Sequence, residues 1–372
     1  MHIGFRSVLV FIFACVFKLA TAQDSIIHRV ILIGDAGETN DKQGSVIPYA
    51  VNHIIPEKTT VMYLGDNIYP RGMGLEGAIQ ENTQRILRSQ YEPMRTNGAP
   101  VYFIPGNHDW DKMGKNGLAK VKEQWRFLDS QKDSLLKLVP ANGCPDPVEI
   151  PISNSMVIIA YDSEWWLFRH DKANADCDCD NEKEVIERLN LLFSKNRGKV
   201  ILLAGHHPFD SYGVHGGYYS WKDHLFPLRS INKNLYIPLP IIGSLYPLLR
   251  SSIFLNPEDI PHPMYQHLIR QVDQVFERFP NVTYVSGHDH GLQLIKNEKR
   301  LQVVSGAGAK NSFTKKGEYS LYANSNPGFV TADLLPDKSM RFTFHNYYRN
   351  GIKAMYTYTK TYTEPMEIDA TP

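Results

Sequence analysis

The chain has 372 residues, 42% of them hydrophobic, and 40 basic side chains against 39 acidic ones, for a formal net charge of +1 at pH 7. That balance offers no electrostatic footprint for nucleic acid, and the length allows one large core or a core with an appendage. The charged fraction of 21% is ordinary for a globular protein, but 14 histidines, several of them grouped, stand out.

The N-terminus reads as a signal peptide over residues 1–22. Arg6 supplies the positive charge, residues 8–17 the apolar stretch, and Ala20, Thr21 and Ala22 the small-residue cleavage site before Gln23. On this reading the protein is exported, periplasmic or secreted. An uncleaved anchor fits less well because Asp24 follows so soon, and a lipoprotein at Cys15 because Phe13 is a poor residue ahead of Ala14 and Cys15. The expected catalytic unit then covers 23–355. Residues 26–33 read as a strand, 44–55 as a modest helix, 61–64 as a second strand and 75–95 as a helix stopped by Gly98-Ala99-Pro100. A third strand at 101–104 precedes a helix over 118–138 and a loop over 140–147 carrying Cys144. Residues 148–152 and 156–161 form a hairpin around Asn154-Ser155, and an amphipathic helix over 181–194 leads to a strand at 200–204.

Residues 210–263 are rich in Tyr, Pro, Leu and Gly and read as an apolar insertion. The stretch 235–254 is long enough to cross a bilayer. Pro238, Pro240 and Pro247 break any helix there, and Arg250 intrudes. An ordered loop lying on the domain is the preferred reading; membrane or protein contact through 235–254 is the alternative. A helix over 264–279 follows, then strands at 282–286, 293–296, 301–304, 328–335 and 340–345. Residues 356–372 read as a polar, frayed tail. Asn281-Val282-Thr283 matches a glycosylation acceptor, but it opens a core strand and is discounted. Cleavage of the leader leaves Cys144, Cys177 and Cys179: one disulfide plus one free thiol, with the pairing open. Metal binding by Cys177-Asp178-Cys179 is the alternative, weakened by the lack of a second ligand pair at zinc-like spacing.

Five apolar runs end alike. Residues 30–33 lead to Gly34-Asp35-Ala36-Gly37, 61–64 to Gly65-Asp66 with Tyr69 beyond, and 101–104 to Gly106-Asn107-His108-Asp109. Residues 200–204 lead to Gly205-His206-His207-Pro208, and 282–286 to Gly287-His288-Asp289-His290. One Gly-Asp after a strand is an ordinary turn, and one Gly-His a satisfied core histidine. Five together place oxygen and imidazole donors at the carboxyl ends of strands, where open α/β sheets build their sites.

The set GDAG, GDNIY, GNHD, GHHP and GHDH resembles the calcineurin-like metallophosphoesterases, and within them the purple, tartrate-resistant acid phosphatases. The likeness covers roughly residues 26–335. It implies an α/β fold, a four-layer α/β/β/α sandwich of two mixed sheets, and a hydrolase acting on phosphate monoesters by attack of a metal-bound hydroxide. It implies two metal ions: one held by Asp35, Asp66, Tyr69 and His290, the other by Asp66, Asn107, His206 and His288, with Asp66 bridging. Mixed carboxylate, phenolate, amide and imidazole donors suit Fe at the first site and Fe, Zn or Mn at the second. Most members of the wider family carry a histidine where this chain has Gly37, and the purple enzymes compensate with a tyrosine at the position of Tyr69. His206 matches the family ligand and His207 its variable neighbour, with the swapped assignment as the alternative. His108, oriented by Asp109, and His215 are the candidates for general acid work, and Asp289 supports its neighbours without being a ligand. The partner implied is a small phosphorylated substrate, not nucleic acid. A phosphodiesterase on the same fold and a partner-binding protein that retains the fold are the competing readings.

Overall fold

In the strand His28–Ile33 (β1), Val30 and Leu32 enter one hydrophobic core and Ile31 and Ile33 another. Successive side chains of a strand point to opposite faces, so a strand apolar throughout must be covered on both sides. The same split runs through Thr59–Leu64 (β2), with Met62 and Leu64 on the inner side and Val61 and Tyr63 on the outer. The computed structural model describes residues 25–226, 228, 235–239, 256–348 and 350–362. The expected signal peptide and most of 235–254 therefore lie outside the described residues.

The remaining strands are Val101–Ile104 (β3), Leu136–Leu138 (β4), Val148–Ser153 (β5), Met156–Ala160 (β6), Val200–Ala204 (β7), Val282–Ser286 (β8), Leu292–Lys296 (β9), Leu301–Ser305 (β10), Ser320–Asn324 (β11), Gly328–Leu334 (β12), Met340–Tyr348 (β13) and Gly351–Lys360 (β14). They form two seven-stranded sheets, ordered β14-β13-β12-β1-β2-β3-β4 and β11-β9-β10-β8-β7-β6-β5. Each is mixed: β1 to β4 run parallel beside antiparallel β12, β13 and β14, and β6, β7, β8 and β10 run parallel with antiparallel neighbours at both ends. Between the sheets lies the core of Val30, Leu32, Met62, Leu64, Ile158, Leu202, Val303 and Phe342. The helices Gln43–Val51 (α1), Gly77–Thr96 (α2) and Gly117–Ser130 (α3) cover the outer face of the first sheet. Glu164–Leu167 (α4), Glu182–Lys195 (α5) and, after Trp221–Leu225 (α6), Pro263–Phe276 (α7) serve the second. This is the expected α/β/β/α sandwich.

Two expectations need correction. The helix expected over 118–138 ends at Ser130, and residues 136–138 form edge strand β4. Lys132 takes φ 56°, which no helix tolerates, and Asp133 turns the chain by accepting the Leu135 amide at 2.9 Å. The tail expected from Tyr356 begins later, because β14 pairs with β13 as far as Lys360. Tyr356, Tyr358 and Tyr362 pack against the inner core, and Tyr356 stacks on Tyr322 at 5.1 Å. Asn281 of the discounted acceptor sequence is buried, and its amide donates to the Lys199 carbonyl at 2.6 Å. Among the described residues no helix is long and apolar enough to cross a membrane.

Candidate metal centre

Asp35 follows β1, Asp66 and Tyr69 follow β2, Asn107 follows β3, His206 follows β7, and His288 and His290 follow β8. Three of these hold left-handed backbone, with φ 57° at Asp35, 54° at Asp66 and 67° at His288. That region costs an L-residue about 1–2 kcal/mol, so neighbouring bonds must enforce it. The Asp35 amide donates to the Gly65 carbonyl at 3.0 Å, the Gly37 amide to Asp66 at 3.0 Å, and the Gly287 amide to His206 at 3.0 Å. The loops are thus stitched to one another before any side chain is considered. Gly37 has no room for a side chain: a Cβ there would lie 2.3–2.6 Å from the backbone of Asn67 and Ile68. The Tyr69 amide donates to the Gly37 carbonyl at 2.9 Å, so the absence of a side chain at Gly37 is what seats the loop that delivers Tyr69.

His206 Nδ1 lies 2.7 Å from the Leu64 carbonyl and His288 Nε2 lies 2.7 Å from the Glu258 carbonyl. Carbonyls only accept, so those nitrogens carry the ring protons and the opposite nitrogens are lone pairs. The two lone pairs, His206 Nε2 and His288 Nδ1, face each other at 3.2 Å, with Asn107 Oδ1 at 3.0 Å from the first and 3.2 Å from the second. Asp66 Oδ1 stands 3.4 Å from His206 Nε2. Acceptors converge here with no donor between them, an arrangement that a cation would satisfy. Next to it, the Tyr69 hydroxyl is 2.9 Å from Asp35 Oδ1, 2.9 Å from Asp66 Oδ2 and 3.2 Å from His290 Nε2. One proton faces two carboxylate oxygens and a ring nitrogen. Asp66 belongs to both clusters. Asp35, Asp66 and His206, and likewise His206, His207 and His288, bring ligand atoms within 4.8 Å of one another, which suits a metal ion.

The electrostatics agree. Burial, and then the charge of Asp66, raise the Asp35 carboxyl far above the usual range. Burial pushes Asp66 the same way, but His108, His206 and the His108 amide outweigh it and hold that carboxyl low. Burial, then Asp35 and Asp66, push the Tyr69 phenol well above its ordinary value. Ionising all three acids together needs positive charge between them.

The flanking residues divide. His108 sits beside Asp66, Nε2 to Oδ2 3.8 Å, and its Nδ1 bonds the Pro70 carbonyl at 2.6 Å. Asp109, expected to orient it, instead receives the Gly106 amide at 2.8 Å and the Asn67 side chain at 3.0 Å, and so ties the β2 and β3 loops together. His215 packs 3.9 Å from the His288 ring, and its Nδ1 bonds Asp259 at 2.9 Å. Burial alone would push His215 down; the Asp259 bond, with Asp289 behind it, lifts it to about 9. His207 points its nitrogens elsewhere: Nδ1 takes Ser163 Oγ at 2.8 Å and Nε2 faces Glu164 at 3.5 Å. Asp289 accepts a hydrogen bond from the Ser211 hydroxyl. The sequence reading missed Asp259, the Glu258 carbonyl, Ser163 and Lys310, whose ammonium lies 4.3 Å over the Tyr69 ring and pairs with Glu38.

The sequence profile of the calcineurin-like phosphoesterases matches residues 28–292. The chain belongs to that family. Among solved structures it is similar to GAP50, described as the anchor in the inner membrane complex of Plasmodium, with a TM-score of 0.53 and 17% identity over 92% of this chain and 91% of that one. It is similar to the purple acid phosphatase PPD1 from yellow lupin (Lupinus luteus) seeds, with a TM-score of 0.53 and 12% identity over 91% of this chain and 54% of that one. At such identities the likeness concerns the fold. No curated protein sequence matches.

Proposed function

We propose that this protein is an exported phosphatase that hydrolyses phosphate monoesters at a centre of two metal ions. Asp35, Asp66, Tyr69 and His290 would hold the first, taken to be iron; Asp66, Asn107, His206 and His288 would hold the second, iron, zinc or manganese. The observation that carries this reading is the convergence of His206 Nε2, His288 Nδ1 and Asn107 Oδ1 within 3.0–3.2 Å, beside a Tyr69 hydroxyl that meets Asp35, Asp66 and His290. When bound, two such ions acidify water toward neutral pH and neutralise phosphoryl charge. The chain's own residues do the rest. The carbonyls of Leu64 and Glu258 fix both ring tautomers, so no reorganisation precedes binding. His215, kept protonated by Asp259, supplies a proton to the departing alkoxide through the nitrogen not bonded to Asp259. His108, held by Pro70 on the other flank, steadies charge that develops on the phosphoryl group.

The competing reading, a protein that keeps the fold to hold a partner, draws on the likeness to an anchor protein. The complete donor set favours hydrolysis, since a scaffold has no use for seven converging ligands. The test is metal analysis of purified protein with steady-state rates on p-nitrophenyl phosphate and bis(p-nitrophenyl) phosphate. Two metals per chain and faster turnover of the monoester are expected. A preference for the diester would make the protein a phosphodiesterase, and a metal-free, inactive chain would leave the scaffold. Export is checked by fractionation and the N-terminal residue of the mature protein.

A further inference from the structure

After β10 the chain runs Gly306-Ala307-Gly308-Ala309 before it reaches Lys310. The two glycines are what this path requires. A Cβ at Gly306 would lie 2.3 Å from the Asp289 carbonyl and 2.9 Å from the Asp35 carboxylate, and one at Gly308 2.7 Å from the Gly34 carbonyl. The segment can therefore lie flat against the ligand loops. The Ala309 amide donates to the Asp35 carbonyl at 2.9 Å, and the Ser312 amide to the His290 carbonyl at 2.8 Å. Lys310 is thus carried between backbone ties to two of the residues that would hold the first ion. It is the first long side chain after the glycines, and its ammonium rests 4.3 Å over the Tyr69 ring, where Glu38 pairs with it. His108 packs on the same ring, centroids 4.3 Å apart, but no other lysine or arginine stands over it among the described residues. Only 26% of the Lys310 side chain is exposed. Burial disfavours the charged amine, and the nearby Asp35 favours it. Packing alone does not ask for an ammonium here, since a methionine would fill the space without desolvating a charge.

We infer that Lys310 is a positioning residue that acts through Tyr69: its fixed positive charge, held over the ring face, steadies the phenolate that binds the first ion. The inference rests on Tyr69 being a ligand of iron, as proposed above. Asp35 and Asp66, each 2.9 Å from the hydroxyl, oppose a third negative charge there. The ammonium offsets that opposition from the ring side, where it displaces no ligand atom. An ion at the hydroxyl end lies farther from the ammonium than the ring does, so the charge acts more on the electron donor than on the acceptor. The phenolate then donates less, and the ion it holds is the stronger Lewis acid.

The test is the visible band of iron-loaded protein, which reads the phenolate rather than turnover. Without the ammonium, charge transfer from phenolate to iron needs less energy. Lys310→Met should move the band to longer wavelength by about 10 nm or more. Lys310→Arg, which keeps the charge, should move it less than half as far. Iron content measured beside each spectrum shows whether the site is loaded, and loss of iron from Lys310→Met but not from Lys310→Arg would also support the charge. An unmoved band in Lys310→Met overturns the inference. So do equal shifts or equal iron loss in the two variants, which would leave the lysine a packing element. An iron-loaded wild type with no band is a separate failure: it removes Tyr69 from the ligand set, and the inference falls with the reading beneath it.

Discussion

The Tyr69 hydroxyl has one proton for two carboxylate oxygens, with a His290 ring nitrogen also in reach, so at least one carboxylate contact stays unsatisfied by the phenol, and a phenolate bound to a cation would relieve it. A phenolate on ferric iron absorbs visible light by charge transfer. Iron-loaded protein should therefore be pink to violet, and Tyr69→Phe should bleach it while retaining more activity than Asp66→Ala; an absorption spectrum beside metal analysis decides. Asp66→Ala should lose both ions and turnover together, because its carboxylate belongs to both clusters. His215 gives a pH prediction with a definite sign. On the proposed acid role its protonated form is the useful one, so activity should fall as pH rises through its pKa, which Asp259 helps to raise. Asp259→Asn should move the basic limb of the kcat/KM profile to lower pH by about one unit or more. An unmoved limb would release His215 from the acid role.

Among the elements, the loops after β1 and β2 carry the tightest constraint. Gly37→Ala forces its Cβ into the Asn67–Ile68 backbone, where overpacking costs typically about 1–3 kcal/mol. Because that backbone leads straight into Tyr69, the variant should lose iron affinity along with thermal stability, read by melting and by iron content. This coupling was half legible in the sequence. The five Gly-terminated strands and their polar residues stand out because each motif is local and the strand core is apolar on both faces. The role of Asp109 was not legible: adjacency to His108 pointed to it as that ring's support, whereas a turn aims its carboxylate at Asn67 and Gly106. Asp259 was hidden for a related reason, lying 44 residues from the histidine it serves. Strand β14 was misread although Tyr356 and Tyr358 alternate with threonines at the strand period, because threonine and lysine lend a solvent-facing edge the look of a tail.

At the scale of the molecule, acid stability follows from histidines buried in the first sheet. Burial drives His345 down to about 3 and His28 to about 4. An unfolded histidine titrates near 6.5, so below that pH the unfolded chain binds protons that the fold refuses, and stability falls from about pH 6.5 toward pH 3. His345→Phe, which keeps the ring stack on Phe329, should lose less stability over that window in denaturant titrations at each pH. The placement of the donors reaches further still. Asp35, Asp66, Tyr69 and Asn107 come from one sheet, and His206, His288 and His290 from the other. An ion between them would act as a rivet through two plates otherwise held by the apolar contact of their inner faces and a few hydrogen bonds, such as Ser305 to the Leu32 carbonyl. Whatever binds the folded form alone adds stability by mass action, and here that increment is stored across the seam. Chelation should therefore leave each plate intact while the seam opens from the strand ends inward. Amide exchange at the ends of β2 and β7 should quicken together, ahead of their middles.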